Sequence, residues 1–329
     1  MRKINWGILG CGKIARKFAA DLQWVKGAEL TAVAARELST AKKFAAEFPV
    51  QHVHGSYEAL VRNPEVDVIY VATPHGLHYE HVMLCLQHKK AVLCEKAFAL
   101  NLRQAQEMIA FAKAQQTFIM EAFWTKFLPH YQVMNQMLEE KKVGQIKYIN
   151  AEFGFLPTPP IAPRIYDPSL GGGSLLDIGI YPVFLALDIL GVPDTIEATM
   201  TPAPTGVDEQ CSIRFVYKNG AMANLFSSFA THLATGADIA GDEGRIRMTH
   251  RFHGPTTTLE FYASTVDTRE VITFEKARGN GYEYETRHVT ECIQKGLLES
   301  PVLTHQKTLR LMETLDAIRQ KAGIRYPAD

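Results

Sequence analysis

Ile4-Asn5-Trp6-Gly7-Ile8-Leu9-Gly10-Cys11-Gly12-Lys13-Ile14-Ala15 is the stretch on which the reading of this chain turns. Ile4–Leu9 is apolar enough for a buried strand, and from Lys13 to Val25 apolar positions recur three and four apart, as on one face of a helix. Between them the small residues stand in G-x-G-x-x-A spacing. Gly10 permits the tight turn, Gly12 lets backbone approach a pyrophosphate, and Ala15 lets helix and sheet close on each other. The helix N-terminus offers free N–H groups to an anion. As a bare string the pattern is a weak signal, and an ordinary glycine turn is the competing reading. The strand–turn–helix setting strengthens it.

The same alternation continues outward. Leu30–Ala34, Val66–Ala72, Ala91–Cys94 and Thr117–Met120 read as strands, and Ser39–Phe48, Gly76–His88 and Asn101–Gln115 as helices, with Ser39 and Asn101 as N-caps. Strands joined through helices of this length pair in parallel by right-handed crossovers. The expectation is an α/β Rossmann domain over residues 1–122, with a doubly wound parallel sheet.

After residue 122 the pattern changes. Pro129–Lys141 is helical and Gln145–Phe155 alternates like a half-buried strand. Segments 195–204, 210–218, 221–229, 243–249, 256–262 and 270–275 then read as strands joined by turns such as Lys218-Asn219-Gly220. Two amphipathic stretches, Glu283–Leu298 and His305–Ala322, close the chain. Residues 123–329 are therefore expected to form an α+β domain with a largely antiparallel open sheet.

Composition narrows the function classes. At 329 residues the chain suits two domains, and its 47% hydrophobic and 21% charged residues are those of a globular protein. Thirty-five basic residues balance thirty-five acidic ones without a long run of one sign, so neither nucleic acid nor an anionic membrane is expected as a partner. Five scattered cysteines, Cys11, Cys85, Cys94, Cys211 and Cys292, form no CxxC pair and are expected to be buried thiols. The start MRKINWGILG lacks a signal-peptide core, and a cytoplasmic location is expected.

The second strand ends Ala34-Ala35-Arg36. A carboxylate at that point would accept from a free ribose 2′-hydroxyl and repel a 2′-phosphate. A guanidinium favours the phosphate by charge and by bidentate geometry, with Ser39 and Thr40 nearby as donors. NADP is thus expected over NAD, although Glu37 follows directly. A solvated surface arginine is the alternative.

Three further segments carry a family resemblance: Thr73-Pro74-His75-Gly76-Leu77-His78, Glu95-Lys96-Ala97, and Gly171-Gly172-Gly173-Ser174-Leu175-Leu176-Asp177-Ile178-Gly179-Ile180-Tyr181. Together they resemble the glucose–fructose oxidoreductase/inositol dehydrogenase (Gfo/Idh/MocA) family. Met120-Glu121-Ala122-Phe123-Trp124-Thr125-Lys126-Phe127, Arg287-His288-Val289 to Cys292, Lys295-Gly296-Leu297 and Glu299-Ser300-Pro301 resemble its dimeric dihydrodiol dehydrogenase and NADP-dependent D-xylose 1-dehydrogenase branch. The resemblance implies an active site between the two domains, hydride transfer between nicotinamide and a sugar or cyclic diol, and a homodimer formed through an open sheet face. It also implies cofactor contacts from Gly10, Gly12, Lys13, Ile14, Ala15, Arg36, Ser39, Thr73, Pro74, His75, His78, Glu95 and Lys96. The family's Glu-Lys-Pro is here Glu95-Lys96-Ala97, and without proline a trans bond is expected after Lys96.

Oxidising a carbinol needs a base for the hydroxyl proton, and the reverse reaction needs an acid. Tyr181 is the candidate, with the ammonium of Lys96 favouring its phenolate. Asp177 stands four residues before Tyr181 and would share its helix face, orienting substrate or lysine, while Pro182 complicates that geometry. A surface lysine, a core tyrosine and a structural carboxylate are the respective alternatives. His75 and His78 lack partners with metal-ligand spacing, so no metal is expected. Trp124, Phe155 and Tyr282 are candidates for an apolar substrate wall and Arg164 for contacts to substrate hydroxyls. The three glycines at 171–173 either pass close to nicotinamide or form a flexible loop. A dinucleotide-sensing regulator without chemistry, and a carbonyl reductase of another small molecule, are the alternative functions.

Overall fold

The computed structural model describes residues 2–264, 269–275 and 278–329. The chain divides into two compact units, Met1–Trp124 with Ala277–Leu309 and Thr125–Lys276 with Arg310–Asp329.

In the first unit the elements run β1 (Ile4–Leu9), α1 (Lys13–Leu22), β2 (Ala28–Ala34), α2 (Leu38–Ala45), β3 (His52–His54), α3 (Tyr57–Val61), β4 (Val68–Val71), α4 (His78–Gln87), β5 (Ala91–Glu95), α5 (Leu102–Ala114) and β6 (Ile119–Ala122). Their order in the sheet is β3-β2-β1-β4-β5-β6, and every pair is parallel. This is the doubly wound arrangement, whose order reverses between β1 and β4, where ligands bind in such sheets. One strand more is present than expected, because β3 is three residues long and too short to show a period. Trp6, Phe18 and Tyr70 form the core under α1, with the Phe18 and Tyr70 rings stacked at 3.8 Å. Asn101 caps α5 by accepting from Gln104 N. The expected cap at Ser39 is corrected: Glu37 holds that place, its carbonyl accepting from Thr40 and Ala41 as the chain leaves β2, and Ser39 lies inside the first turn of α2.

The second unit contains α6 (Pro129–Glu139), β7 (Ile146–Gly154), α7 (Ile180–Leu190), β8 (Thr195–Pro202), β9 (Asp208–Val216), β10 (Met222–Ser228), β11 (Ala237–Gly241), β12 (Gly244–Met248), β13 (Leu259–Ala263) and β14 (Arg269–Ile272). Its sheet order is β14-β13-β12-β11-β7-β10-β9-β8, antiparallel except for the central β7–β10 pair. The Lys218-Asn219-Gly220 turn closes β9 onto β10, with Gly220 at φ +85°. Unforeseen β11 is built from Ala, Asp and Gly, residues depleted in strands, and holds its place by burying Ala237 and Ile239. Pro168–Leu190 is long and apolar enough to cross a membrane, but 72% of its most apolar 18-residue window is buried inside the protein. Its α7 portion packs on β7 and β10, and Asp188 near its end accepts from Lys126 Nζ at 2.6 Å and Tyr131 Oη at 2.9 Å.

The two compact units do not coincide with the expected domain of 123–329. Residues 278–309, with α8 (Glu283–Gln294), belong to the first unit, and the division falls within α9 (His305–Ala322). The cause is long-range hydrogen bonding. The buried Asp21 carboxylate on α1 accepts from Asn280 N and Tyr282 N, each at 2.8 Å, and Gln294 Nε2 donates to Arg2 O. A single composition change near residue 122 carries no trace of a segment that returns.

Candidate active site

The candidate residues fall into two groups, one in each unit.

In the first unit, Gly10 ends β1 at φ +100°, and a Cβ there would lie 3.0 Å from Thr73 Cγ2 and 3.1 Å from Ala72 O. Both backbone conformation and close packing require glycine. Gly12 differs: its φ is −81°, and a Cβ would meet nothing within 4 Å. Among the described residues nothing demands glycine at 12, and the space in front of the N-terminus of α1 is open there. That terminus carries no side-chain cap. Ala15 is fully buried, Ile14 half-buried and Lys13 exposed. Arg16 is engaged, donating to Cys11 O and pairing with Glu47.

Arg36 is exposed just beyond β2, as are Ser39 and Thr40. Its charge reaches Tyr57, whose phenol burial pushes up and Arg36 pulls down. It also reaches His81, which burial and Arg36 together push down to about 4. His81 Nδ1 lies 3.0 Å from Thr73 Oγ1 and its ring 4.7 Å from that of Tyr57. Tyr57 and His81 were not among the sequence candidates; the one available signal was the three-residue spacing of His81 from His78 on a helix.

Thr73, Pro74 and His75 lie half-buried after β4. His78 is fully buried, its Nε2 2.8 Å from Thr73 O and its Nδ1 2.8 Å from Ala97 O. It therefore ties the loop after β4 to the loop after β5. Burial pushes its pKa down to about 4 against the opposing pull of the two carbonyls. The trans bond expected after Lys96 is corrected, since the Lys96–Ala97 peptide is cis. Ala97 is fully buried with its carbonyl against His78, so tertiary packing sets a path that the preference of an isolated dipeptide argues against.

Lys96 borders a nest of buried carboxyls. Glu95 accepts from Tyr70 Oη, and Glu121 accepts from Thr308 Oγ1 at 3.0 Å. Burial pushes Glu121 up to about 7, against the pull of Lys96. Burial and Glu95 hold Glu285 far above the ordinary carboxyl range. Trp124 stacks on Tyr282 with centroids 4.7 Å apart, and Tyr282 is edge-on to Phe18.

In the second unit, Tyr181 lies in the first turn of α7 and is 7% exposed. The preceding Leu175–Gly179 forms a π turn, with more residues per turn than the α-helix assumed in the face argument. Pro182, having no N–H and a ring that crowds the preceding carbonyls, suits the widened turn. The Tyr181 ring packs 4.8 Å from His253 and 5.8 Å from Phe153, which stacks on His253 at 4.3 Å. His253 is held by Thr125 Oγ1, which donates to its carbonyl at 2.8 Å, and the neighbouring Phe252 carbonyl faces His130 Nε2 at 2.9 Å. No local pattern marks His253, because its proximity to Tyr181 arises through the hairpin between β12 and β13.

Asp177, 9% exposed, receives Arg164 Nη1 at 3.0 Å, so two residues assigned separate tasks form one ion pair. Phe155 packs edge-on against Phe229, beside Ile165 and Ile178. Gly172 and Gly173 are packed rather than flexible: a Cβ would fall 2.8 Å from Asp167 N at 172 and 2.3 Å from Asp208 Oδ1 at 173. All five cysteines are free and buried.

Residues 4–123 match the profile described as "Oxidoreductase family, NAD-binding Rossmann fold", and residues 131–247 match "GFO/IDH/MocA C-terminal domain". A trans-1,2-dihydrobenzene-1,2-diol dehydrogenase from Xenopus tropicalis is 37% identical, covering 98% of this chain and 99% of its own. The crystal structure of a 3-ketoreductase from Actinomadura kijaniata in complex with NADP and TDP-benzene superposes with a TM-score of 0.87 at 27% identity, covering 98% of each chain. An aldose-aldose oxidoreductase from Caulobacter crescentus shares the fold, with a TM-score of 0.88 at 21% identity over 98% of each chain.

Proposed function

Because the chain belongs to the Gfo/Idh/MocA oxidoreductase family, we propose that it is an NADP-dependent dehydrogenase of CH–OH groups, acting on a sugar or a cyclic trans-diol. The observation that carries the cofactor reading is the cradle at β1–α1. Gly12 opens onto an uncapped helix N-terminus, and Arg36 stands exposed beyond β2 where a 2′-phosphate would be recognised. When bound, NADP supplies or accepts the hydride. Gly10, Gly12 and the first turn of α1 receive the pyrophosphate; Arg36 and Ser39 receive the 2′-phosphate.

The chain's own residues handle the proton. Tyr181 takes the carbinol proton in oxidation and returns it in reduction. Lys96 favours its phenolate form, and Asp177 orients the substrate hydroxyl with its carboxylate fixed by Arg164. The aromatic rings around Tyr181 shield the phenol from water and offer a flat face to a ring substrate. D-xylose is included among the substrates to test because of the branch the sequence resembles.

A homodimer through the outer face of the second unit's sheet is a further part of the reading. That face is mixed in character. Exposed Tyr148 and Met222 are register partners on it, and Asn150, Glu152, Glu197, Ser212, Arg214 and Asn224 share a shallow depression. One wet face is ordinary for an antiparallel sheet, so the solution mass decides, and a monomer at micromolar concentration would remove the dimer.

The function is tested by titrating the protein with NADPH and NADH, following nicotinamide fluorescence, and then adding D-xylose, glucose or a cyclic trans-diol to the NADP-bound form. Tighter NADPH binding that weakens about ten-fold in Arg36→Ala, with reduction of NADP by one substrate, is expected. Equal affinity for both cofactors removes Arg36 from its role, and binding without turnover rejects the dehydrogenase reading.

A further inference from the structure

The segment leading to Tyr181 is held at its start by residues that are remote in sequence. Asp208, at the first position of β9, is fully buried, and its Oδ2 accepts from Leu175 N at 2.6 Å and from Ser174 Oγ at 2.8 Å. Ser174 Oγ is also 2.9 Å from Ser227 Oγ on β10. On the other side Tyr326 Oη donates to Gly172 O at 2.7 Å, while Gly172 N and Gly173 N donate to Asp167 O and Ile165 O.

The glycines of the motif follow from this clamp. Gly173 adopts φ +111° and leaves room for Asp208 Oδ1, and a Cβ at Gly179 would lie 2.8 Å from Ser227 Oγ. Burying a carboxyl is costly, and an apolar filler would serve stability better. What the carboxylate provides is a fixed acceptor for the first N–H of the turn, the task of a helix N-cap done by a residue from another strand.

We propose that Asp208 is the positioning residue of the Asp177–Tyr181 turn, its carboxylate setting where that turn begins and so where carboxylate and phenol stand. The proposal rests on the reading of Tyr181 as the acid–base group. Asp208 is fully buried, so it acts through the Leu175 amide and the Ser174 hydroxyl. Burial pushes its pKa up to about 6, so the anchor carries its full charge only above that pH.

The experiment compares Asp208→Ala, Asp208→Asn and Ser174→Ala in the full chain, well below the melting temperature. It reads kcat and KM, NADPH binding by fluorescence, and hydrogen exchange of amides 173–181. Loss of the anchor should lower kcat about 100-fold in Asp208→Ala, the scale of a reacting group displaced by about 1 Å, with KM and NADPH binding little changed. Asp208→Asn keeps an acceptor oxygen of the same shape and should restore most of kcat. Ser174→Ala should fall between and serves as the decisive variant if Asp208→Ala fails to fold. Faster exchange over 173–181 in Asp208→Ala but not in Asp208→Asn supports the anchor. Wild-type kcat and exchange in a folded Asp208→Ala, or a lowered melting temperature alone, overturns it. Tyr181→Phe is measured in parallel. If that variant keeps its turnover, the acid–base reading fails, and the anchor then stands or falls on the exchange data alone.

Discussion

Gly10, Gly12 and Ala15 lie within six residues of one another, and Arg36 follows at the end of the next strand. Arg164, Asp177, Tyr181, Asp208 and His253, by contrast, come from a 3-10 turn, a π turn, a helix, a strand and a hairpin. The nucleotide cradle is a local object: one turn and one helix N-terminus present backbone groups, and side chains matter there chiefly by being absent. The Tyr181 region is a non-local object, in which each side chain is placed by a partner far along the chain. The difference teaches that glycine has opposite meanings in the two places. At 12 the space beside it is open, as the proposed cofactor site requires; at 173 the space is filled by Asp208.

The largest effect that tests this contrast is Tyr181→Phe. Turnover should fall at least about 100-fold while NADPH binding stays as in wild type, because proton transfer is lost and the cradle is untouched. Loss of NADPH binding in the same variant would break the division of labour.

Next comes one substitution made in two places. Gly173→Ala should lower stability by about 1–3 kcal/mol in urea unfolding, since its φ suits glycine and the new Cβ meets a buried carboxylate. Gly12→Ala should leave unfolding near wild type and weaken NADPH binding. The reverse pattern would exchange the meanings given to the two glycines.

The pH dependence of stability gives a smaller signal. Asp208 is raised from 3.8 to about 6, so the folded protein holds this proton more tightly than the unfolded chain. The resulting stabilisation is full below about pH 4 and is lost as pH rises through about 6. Relative to Asp208→Asn, the wild type should lose on the order of 2 kcal/mol between about pH 4 and 7. Parallel curves for the two proteins would show that the carboxyl is not held as described.

The smallest effect is expected at Arg164, whose side chain is 47% exposed in its pair with Asp177. Arg164→Ala should cost less than about 1 kcal/mol of stability, and its mark should be a raised KM instead. A large drop in melting temperature would make Arg164 a structural residue.

How far the chain could be read follows the same division. The parallel sheet, four of its crossover helices and the phosphate turn were legible, because strand and helix periods and glycine spacing are written within a few residues of each other. β3 and α3 were not legible, being too short for a period, nor was β11, whose Ala-Gly composition argues against a strand. The segment 278–309 read as part of the second domain because its bonds to Asp21, Arg2 O and Glu121 span most of the chain. Arg164 and Asp177 were singled out separately, and only folding showed that they pair.

By itself the order of residues determined the class of both domains and singled out the glycine turn at 10–15, Lys96, Asp177 and Tyr181 as candidates. Each of these depends on local backbone preference or on motifs of a few residues. Tertiary structure alone decided that His253 packs on Tyr181, that Asp208 receives the start of its turn, and that the Lys96–Ala97 bond is cis. The physical reason is that burial and hydrogen bonding between remote segments can outweigh local preference, and a one-dimensional pattern does not contain those distances.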